Sequence, residues 1–234
     1  MTIIDHRFDT RDALFSTLQQ VIVADIERAL QHKGAASLLL SGGSTPAPLY
    51  RGLSRATLDW DRVHVALVDE RWVAVDDAAS NERLLRESLL TGRAAQARFT
   101  GMKNTAASAL EGVKACNLDY ARLPLPHTFC LLGMGPDGHT ASLFPQAQGL
   151  DAALASRQHC AAIHAQRSTV TGELLDRMTL TPWSILQSER LVLLITGADK
   201  WEVLQQAKVA TDATLTPISY FADQQTALEV YWAP

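Results

Sequence analysis

The segment richest in potential chemistry is a glycine-rich stretch, residues 131–145, which reads LLGMGPDGHTASLFP. It holds a carboxylate and an imidazole two positions apart, Asp137 and His139. An imidazole exchanges protons near neutral pH, and a nearby carboxylate can orient it. This combination predicts general-base catalysis by His139. Asp137 is one candidate for the orienting acid, and Asp69, described below, is the other.

The same stretch contains Gly133, Gly135 and Gly138 at the spacing of a dinucleotide-binding fingerprint. In such a site Gly138 would open a helix, and an acid about 20 residues later would bind a ribose. The next apolar run, CAAIHA at 160–165, ends without an acid. Asp137 would also repel a pyrophosphate. We therefore favour a catalytic loop over a nucleotide site.

A second candidate loop, SGGSTP at 41–46, follows an apolar run and suits an anion. Its glycines let the backbone approach a ligand, and its hydroxyls and helix-starting proline leave backbone N–H groups available. A plain strand-to-helix turn is the alternative, and no GKS or GKT makes it a Walker loop. The predicted phosphate-binding residues are Gly42, Gly43, Ser44 and Thr45.

Charged candidates follow other apolar runs. Asp69 and Arg71 lie in DERWV, directly after VHVALV, and are candidate catalytic residues, Arg71 also being a candidate phosphate ligand. Lys200, in TGADK, and Arg177, in DRMTLT, are further candidates for binding an anion. The alternatives are a surface salt-bridge cluster for the first group and solvated side chains for the other two.

These loops need a scaffold that brings them together. Apolar residues at helical spacing predict a helix over 14–30, and similar patterns recur around 81–90, 105–118 and 199–209. Between them lie short apolar runs typical of strands buried on both faces: 37–40, 63–68, 128–132, 160–165 and 190–196.

This alternation predicts a doubly wound α/β fold with a mostly parallel, Rossmann-like sheet and helices on both faces. In such sheets ligands bind beyond the carboxyl ends of the strands. The run 228–233 is expected to be an edge strand. The whole chain, 1–234, is expected to form one domain, in which 91–127 could be a small subdomain.

Composition excludes several classes. The 234 residues carry a net charge of −4, which offers no basic excess for nucleic acid. The amino terminus is charged where a signal peptide would be apolar, and no run is long enough to span a membrane, so a cytoplasmic protein is expected. The three cysteines have neither zinc-ligand nor disulfide-framework spacing. Serine-hydrolase (GxSxG) and zincin (HExxH) motifs are absent from the sequence.

Taken together, LLLSGGSTP, DERWV followed by SN at 80–81, GMGPDGHTASLFP, RMTLT and TGADK resemble the 6-phosphogluconolactonases from about residue 36 onward. The resemblance implies a fold shared with glucosamine-6-phosphate deaminases and ribose-5-phosphate isomerase-like proteins. It implies hydrolysis of 6-phospho-D-glucono-1,5-lactone without metal or organic cofactor. It also implies that His139 is the general base, with Asp137 and Arg71 at the site and 41–45 as the phosphate loop.

Two positions bear on this resemblance. Ala74 stands where the DER motif usually continues with proline, which removes no functional group. The sister deaminases resemble a pattern with a glutamate before the final proline of the central motif, where this chain has Phe144. This difference favours a lactonase. A sugar-phosphate-binding regulator without catalysis is the alternative from another class, and the sequence leaves the oligomeric state open.

Overall fold

A computed structural model describes residues 3–222 and 224–234. These residues form two sheets, one of seven strands in the order β1-β10-β9-β6-β2-β3-β5 and one of three strands in the order β4-β8-β7. The strands are β1 (Ile3–Arg7), β2 (Ala36–Leu40), β3 (Val63–Leu67), β4 (Asp69–Arg71), β5 (Arg98–Thr100), β6 (Phe129–Leu132), β7 (Cys160–His164), β8 (Asp176–Leu180), β9 (Leu191–Thr196) and β10 (Leu228–Ala233).

The seven-stranded sheet is parallel throughout. From β2 the chain adds β3 and β5 on one side, and then returns to add β6, β9 and β10 on the other. The order therefore reverses between β2 and β6, and this reversal is the switch point at which open α/β sheets bind ligands. The predicted α/β fold with a mostly parallel sheet is confirmed.

Helices connect the strands. The first begins after Thr10, whose side-chain oxygen accepts a hydrogen bond from the Ala13 N–H at 3.2 Å, and ends at Gly34 in the left-handed conformation (φ 80°). Its apolar stripe is buried, as the sequence spacing predicted. The helices are α1 (Arg11–Lys33), α2 (Ala47–Leu53), α3 (Asn81–Ser88), α4 (Ala109–Tyr120), α5 (Leu150–Ala155), α6 (Pro182–Ile185) and α7 (Ala198–Ala207). In the described part of the chain, none of them is both long and apolar enough to cross a membrane.

The structure corrects two strand predictions. The run 228–233 is not an edge strand, because β10 lies between β9 and β1. Strand β1 went unrecognised because its polar sequence, IIDHR, suits an exposed edge. The run 160–165 was expected in the parallel sheet, but β7 pairs antiparallel with β8 and is only partly buried.

The DER motif, expected in a loop, forms a short strand instead. Val68 donates its N–H to the Leu40 carbonyl at 3.0 Å, and its own carbonyl accepts from the N–H of Leu180 at 2.8 Å. This single residue thus joins the large sheet to the small one, and β4 begins immediately after it. The segment 91–127 supplies β5 to the edge of the large sheet and α4, which packs against β7 and β8.

Candidate active site

A cleft of about 400 Å³ opens at the switch point, beyond the carboxyl ends of β2 and β6. Two of the predicted residues lie outside its lining: Asp137 is directly behind His139, and Arg177 is the cross-strand neighbour of Arg71. The other predicted site residues all line the cleft: Gly42, Gly43, Ser44, Thr45, Asp69, Arg71, His139 and Lys200.

His139 and Asp137 form a close pair, with 2.5 Å between His139 Nδ1 and Asp137 Oδ1. The same oxygen accepts from the His139 backbone N–H at 3.2 Å. An ionised carboxylate only accepts hydrogen bonds, so Nδ1 donates and Nε2 of the neutral ring is left unprotonated. Burial alone would raise the pKa of Asp137, but the hydrogen bond and charge of His139 lower it below its usual value. The pair therefore has the protonation pattern of a general base and its orienting acid.

The glycines of this loop have distinct roles. A Cβ on Gly135 would lie 2.0 Å from His139 Nδ1 and 2.6 Å from Asp137 Oδ1, so only glycine leaves room for the pair. Gly138 turns the chain between the two residues with φ +77°. Gly138 is followed by irregular structure rather than a helix, which removes the geometry a dinucleotide site requires.

Asp69, the other candidate to orient the imidazole, is engaged elsewhere. Its Oδ2 accepts from Ser142 Oγ at 2.6 Å and its Oδ1 from Asn81 Nδ2 at 3.2 Å. Asn81 also donates to the Asp69 carbonyl at 2.9 Å, and a Cβ on Gly42 would lie 1.8 Å from Asn81 Oδ1. The geometry thus links Asp69 to the glycine loop and to the 131–145 loop. Sequence reasoning assigned no role to Asn81 or Ser142, whose only signal was their place within recognised motifs.

Glu70 is a fully buried residue that sequence reasoning also missed. Its carboxylate accepts four hydrogen bonds, from the backbone N–H groups of Arg71, Asn81 and Glu82 and from Ser80 Oγ, at 2.7 to 3.0 Å. Burial raises its pKa, and these hydrogen bonds oppose the rise. Glu70 thereby fastens β4 to the start of α3 and fixes the neighbouring Asp69 and Arg71.

Two arginines face each other across β4 and β8, where Arg71 is the register partner of Arg177. Arg71 donates from a terminal nitrogen to the Ala79 carbonyl at 2.6 Å, and its buried Nε lacks a partner among the described residues. Arg177 is 4% exposed and donates to the Leu174 carbonyl at 2.8 Å. Burial and then the charge of Arg71 lower the pKa of Arg177. The structure therefore brings Arg71 to the cleft surface and leaves Arg177 beneath it, where its charge still favours an anion.

The cleft also contains hydrogen-bond donors that could bind an anion. Lys200 lines it and donates to the Met134 carbonyl. Burial lowers the pKa of Lys200, and Asp137 opposes that shift. The backbone N–H groups of residues 42–45 donate to no acceptor among the described residues. Unpaired N–H groups beside cationic side chains form a site for a phosphate or carboxylate.

Within residues 3–222 and 224–234, no three His, Cys, Asp or Glu side chains are grouped so that they could hold a metal ion. Fold and site together define an α/β protein whose switch-point cleft combines an imidazole–carboxylate pair with unpaired backbone N–H groups and cationic side chains.

Comparison with known proteins agrees with this class. A family described as glucosamine-6-phosphate isomerases/6-phosphogluconolactonase matches residues 9–232. A 6-phosphogluconolactonase of Rhizobium meliloti is 39% identical over 230 residues, which cover 98% of each chain. One of Pseudomonas putida is 37% identical, over 98% of this chain and 92% of the relative. The crystal structure of a 6-phosphogluconolactonase from Shewanella baltica superposes with a TM-score of 0.94 at 37% identity, over 99% of this chain and 98% of that one. The chain therefore belongs to the 6-phosphogluconolactonase family.

Proposed function

We propose that this protein hydrolyses 6-phospho-D-glucono-1,5-lactone to 6-phospho-D-gluconate, the second step of the oxidative pentose phosphate pathway, with His139 as the general base. The observation that carries the proposal is the 2.5 Å contact between His139 Nδ1 and Asp137, beside a cleft lined by Arg71 and Lys200. The names of the relatives support the substrate. The geometry of the cleft supports the role of the histidine.

In this mechanism the phosphate of the lactone binds the donors of residues 42–45 together with Lys200. Holding the phosphate fixes the ring so that its carbonyl lies near His139, which makes the attack of water effectively unimolecular. His139 takes a proton from the attacking water at Nε2. Asp137 stabilises the imidazolium that results, because its carboxylate is negatively charged and accepts a hydrogen bond from Nδ1–H.

Ring opening then needs a proton and a stabilised oxyanion. The imidazolium of His139 can return its proton to the ring oxygen as the C–O bond breaks, which regenerates the neutral base. Arg71 lines the cleft, and its guanidinium can face the negative charge that develops on the carbonyl oxygen. The buried Arg177 adds to the positive potential behind it.

The aromatic ring at position 144 supports hydrolysis over the deaminase chemistry of the sister enzymes. Phe144 packs against His139, with 4.3 Å between ring centroids. A glutamate here would supply the additional acid–base group for opening an amino-sugar ring, whereas a phenyl ring has no proton to exchange. Lactone hydrolysis needs no such group at this position.

The test is to follow hydrolysis of freshly generated 6-phosphogluconolactone at mildly acidic pH, where spontaneous opening is slow, with glucosamine 6-phosphate in parallel. We expect rapid lactone loss and no ammonia from the amino sugar. Ammonia release without lactone hydrolysis would instead assign the deaminase reaction. Thermal stabilisation by sugar phosphates without turnover of either substrate would indicate a regulator, because binding alone stabilises a fold.

Replacing Arg71 separates its two proposed roles. If Arg71→Ala lowers kcat with KM little changed, the guanidinium acts on the transition state, and if it raises KM alone, it acts as a phosphate anchor. Wild-type values of both constants would remove Arg71 from the mechanism.

A further inference from the structure

Two cysteines outside the cleft lie close enough to react with each other. Cys116, on α4, and Cys160, the first residue of β7, have their Sγ atoms 3.2 Å apart. Both side chains are buried, each residue being 2% exposed. The third thiol, Cys130, is on β6 in the large sheet and is also buried and free.

Hydrogen bonds between the Asn117 side chain and the Cys160 backbone hold this sulfur pair in place. Asn117, the neighbour of Cys116, accepts from the Cys160 N–H at 2.8 Å and donates to the Cys160 carbonyl at 3.0 Å. This two-point clamp fixes α4 against the first residue of β7. A disulfide bond is about 2.0 Å long, so the sulfurs need to approach by roughly 1.2 Å. Side-chain rotation and a small shift of the helix can supply such a movement.

We propose that Cys116 and Cys160 form an oxidative modification site, in which a peroxide converts the two thiols into an intrachain disulfide. A thiolate attacks one peroxide oxygen, which yields a sulfenic acid and releases the other oxygen as water. The second thiol then attacks the sulfenic sulfur, the S–S bond forms, and a second water leaves. Two thiols and one peroxide thus give one disulfide and two waters.

The order of attack follows from the surroundings of each thiol. Cys160 is the first residue of β7 and lies two positions after the exposed Gln158, whereas Cys116 is inside a helix. Local opening at the start of the strand, which breaks the Asn117 hydrogen bonds, therefore exposes Cys160 first. Cys160 is therefore the thiol that meets peroxide, and Cys116 resolves the sulfenic acid. Burial raises the pKa of the Cys160 thiol, so oxidation is slow at neutral pH and faster at alkaline pH.

The crosslink would enclose the catalytic loop. The chain between Cys116 and Cys160 includes β6 and the whole 131–145 segment. Closing this long loop restricts the unfolded chain, which stabilises the fold. The disulfide would also join α4 to the small sheet that carries Asp69 and Arg71.

The experiment treats the folded wild-type chain with hydrogen peroxide at about pH 9.5, above the ordinary thiol pKa of about 8.5, because burial raises the pKa of Cys160. Free thiols are then counted after denaturation, and crosslinked peptides are mapped. We expect the three thiols to fall to one and a single crosslink to join residues 116 and 160. Tm should rise by roughly 5–15 °C, since the crosslink closes a long loop, and a reductant should reverse the rise.

Matched variants control the interpretation. Cys130→Ala should still form the crosslink, whereas Cys116→Ser should retain its thiols or acquire only sulfenic acid, with no reversible rise in Tm. If Cys116→Ser fails to fold, peptide mapping of the wild type and Cys130→Ala decides the question. Retention of all three thiols while the circular dichroism stays native, or a crosslink that includes Cys130, would overturn the proposal.

Discussion

Two imidazole–carboxylate pairs in this protein have nearly the same geometry and very different surroundings. His139 and Asp137 lie 2.5 Å apart at the switch point of the large sheet, and His164 and Asp176 lie 2.6 Å apart on the small sheet. The side chains of the first pair are 18% and 31% exposed, and those of the second are 53% and 48% exposed. A short histidine–carboxylate contact is therefore not sufficient to define a catalytic site.

The difference arises from how each pair is formed. His164 and Asp176 are register partners on β7 and β8, so their contact follows from ordinary cross-strand pairing in solvent. Such an exposed pair contributes little to stability. The His139 pair is made within a single turn, next to Phe144 and the cleft, where less water screens its charges. Position in the fold thus distinguishes the two pairs.

The largest expected effect comes from removing each imidazole in turn. His139→Ala should lower kcat for the lactone by about 10²- to 10⁴-fold, the usual contribution of a general base, with KM little changed. His164→Ala should leave both constants within about twofold of wild type, since this pair lies outside the cleft lining. Steady-state kinetics of the two variants checks this contrast. Equal losses, or near wild-type turnover by His139→Ala, would contradict it.

A second prediction disturbs the His139 pair without removing either member. In Gly135→Ala the new methyl group would clash with both His139 Nδ1 and Asp137 Oδ1. We expect kcat to fall by about 10²-fold, because small displacements of reacting groups have large effects. The forced shift should also lower the free energy of unfolding by about 1–3 kcal/mol.

Gly133→Ala is the control for this substitution, since a Cβ there would have ordinary contacts only, the nearest atom being Ser41 Oγ at 4.0 Å. Its denaturation midpoint should stay close to that of the wild type. If the two variants lose stability and turnover equally, loop entropy rather than contact with the pair determines the effect.

Much of the fold was predictable because its strands are nearly continuous apolar runs. This pattern identified four strands, β2, β3, β6 and β9. Strands buried on both faces of a parallel sheet are expected to have such continuous apolar sequences. The small sheet was not foreseen. Its strand β4 has only three residues, all polar, and becomes a strand through pairing with β8, which is more than 100 positions away. A contact of this kind leaves no local pattern.

The candidate site also has one part that the sequence predicts and another that only the folded structure shows. Asp137 and His139 share one turn, so their proximity could be inferred from the sequence. The links from Asp69 to Asn81 and Ser142 join three separate segments, and only the folded chain brings them together. Likewise the sequence left two acids to orient His139, and the distances assign that contact to Asp137.

The third prediction compares the two carboxylates. Asp137→Asn removes the negative charge that stabilises the imidazolium and puts an amide that can also donate in place of an acceptor-only carboxylate. The tautomer of His139 is then no longer fixed, so kcat should fall by about 10- to 100-fold, less than for loss of the imidazole itself. Asp176→Asn makes the same change in the exposed pair and should leave kcat unchanged. A pH–rate profile of both variants checks the assignment, since only Asp137→Asn should displace the profile. If Asp137→Asn were as active as wild type, Asp69 would have to be reconsidered as the orienting acid.

The smallest effect concerns stability against pH. Burial alone would raise the pKa of Asp137, but His139 lowers it below the ordinary value of about 3.9. A carboxylate whose pKa is depressed by folding stabilises the fold above its unfolded-state pKa, and this contribution is lost as pH falls through the folded-state value. The free energy of unfolding of wild type should therefore exceed that of Asp137→Asn by a constant amount near pH 5, and the difference should shrink toward pH 2 in urea denaturation series.

The control removes the imidazole that lowers the pKa of Asp137. The difference in free energy of unfolding between His139→Ala and the double variant His139→Ala/Asp137→Asn should lose this acid dependence. An advantage that grows toward acid would mean that the carboxylate is protonated in the native state and only accommodates the histidine.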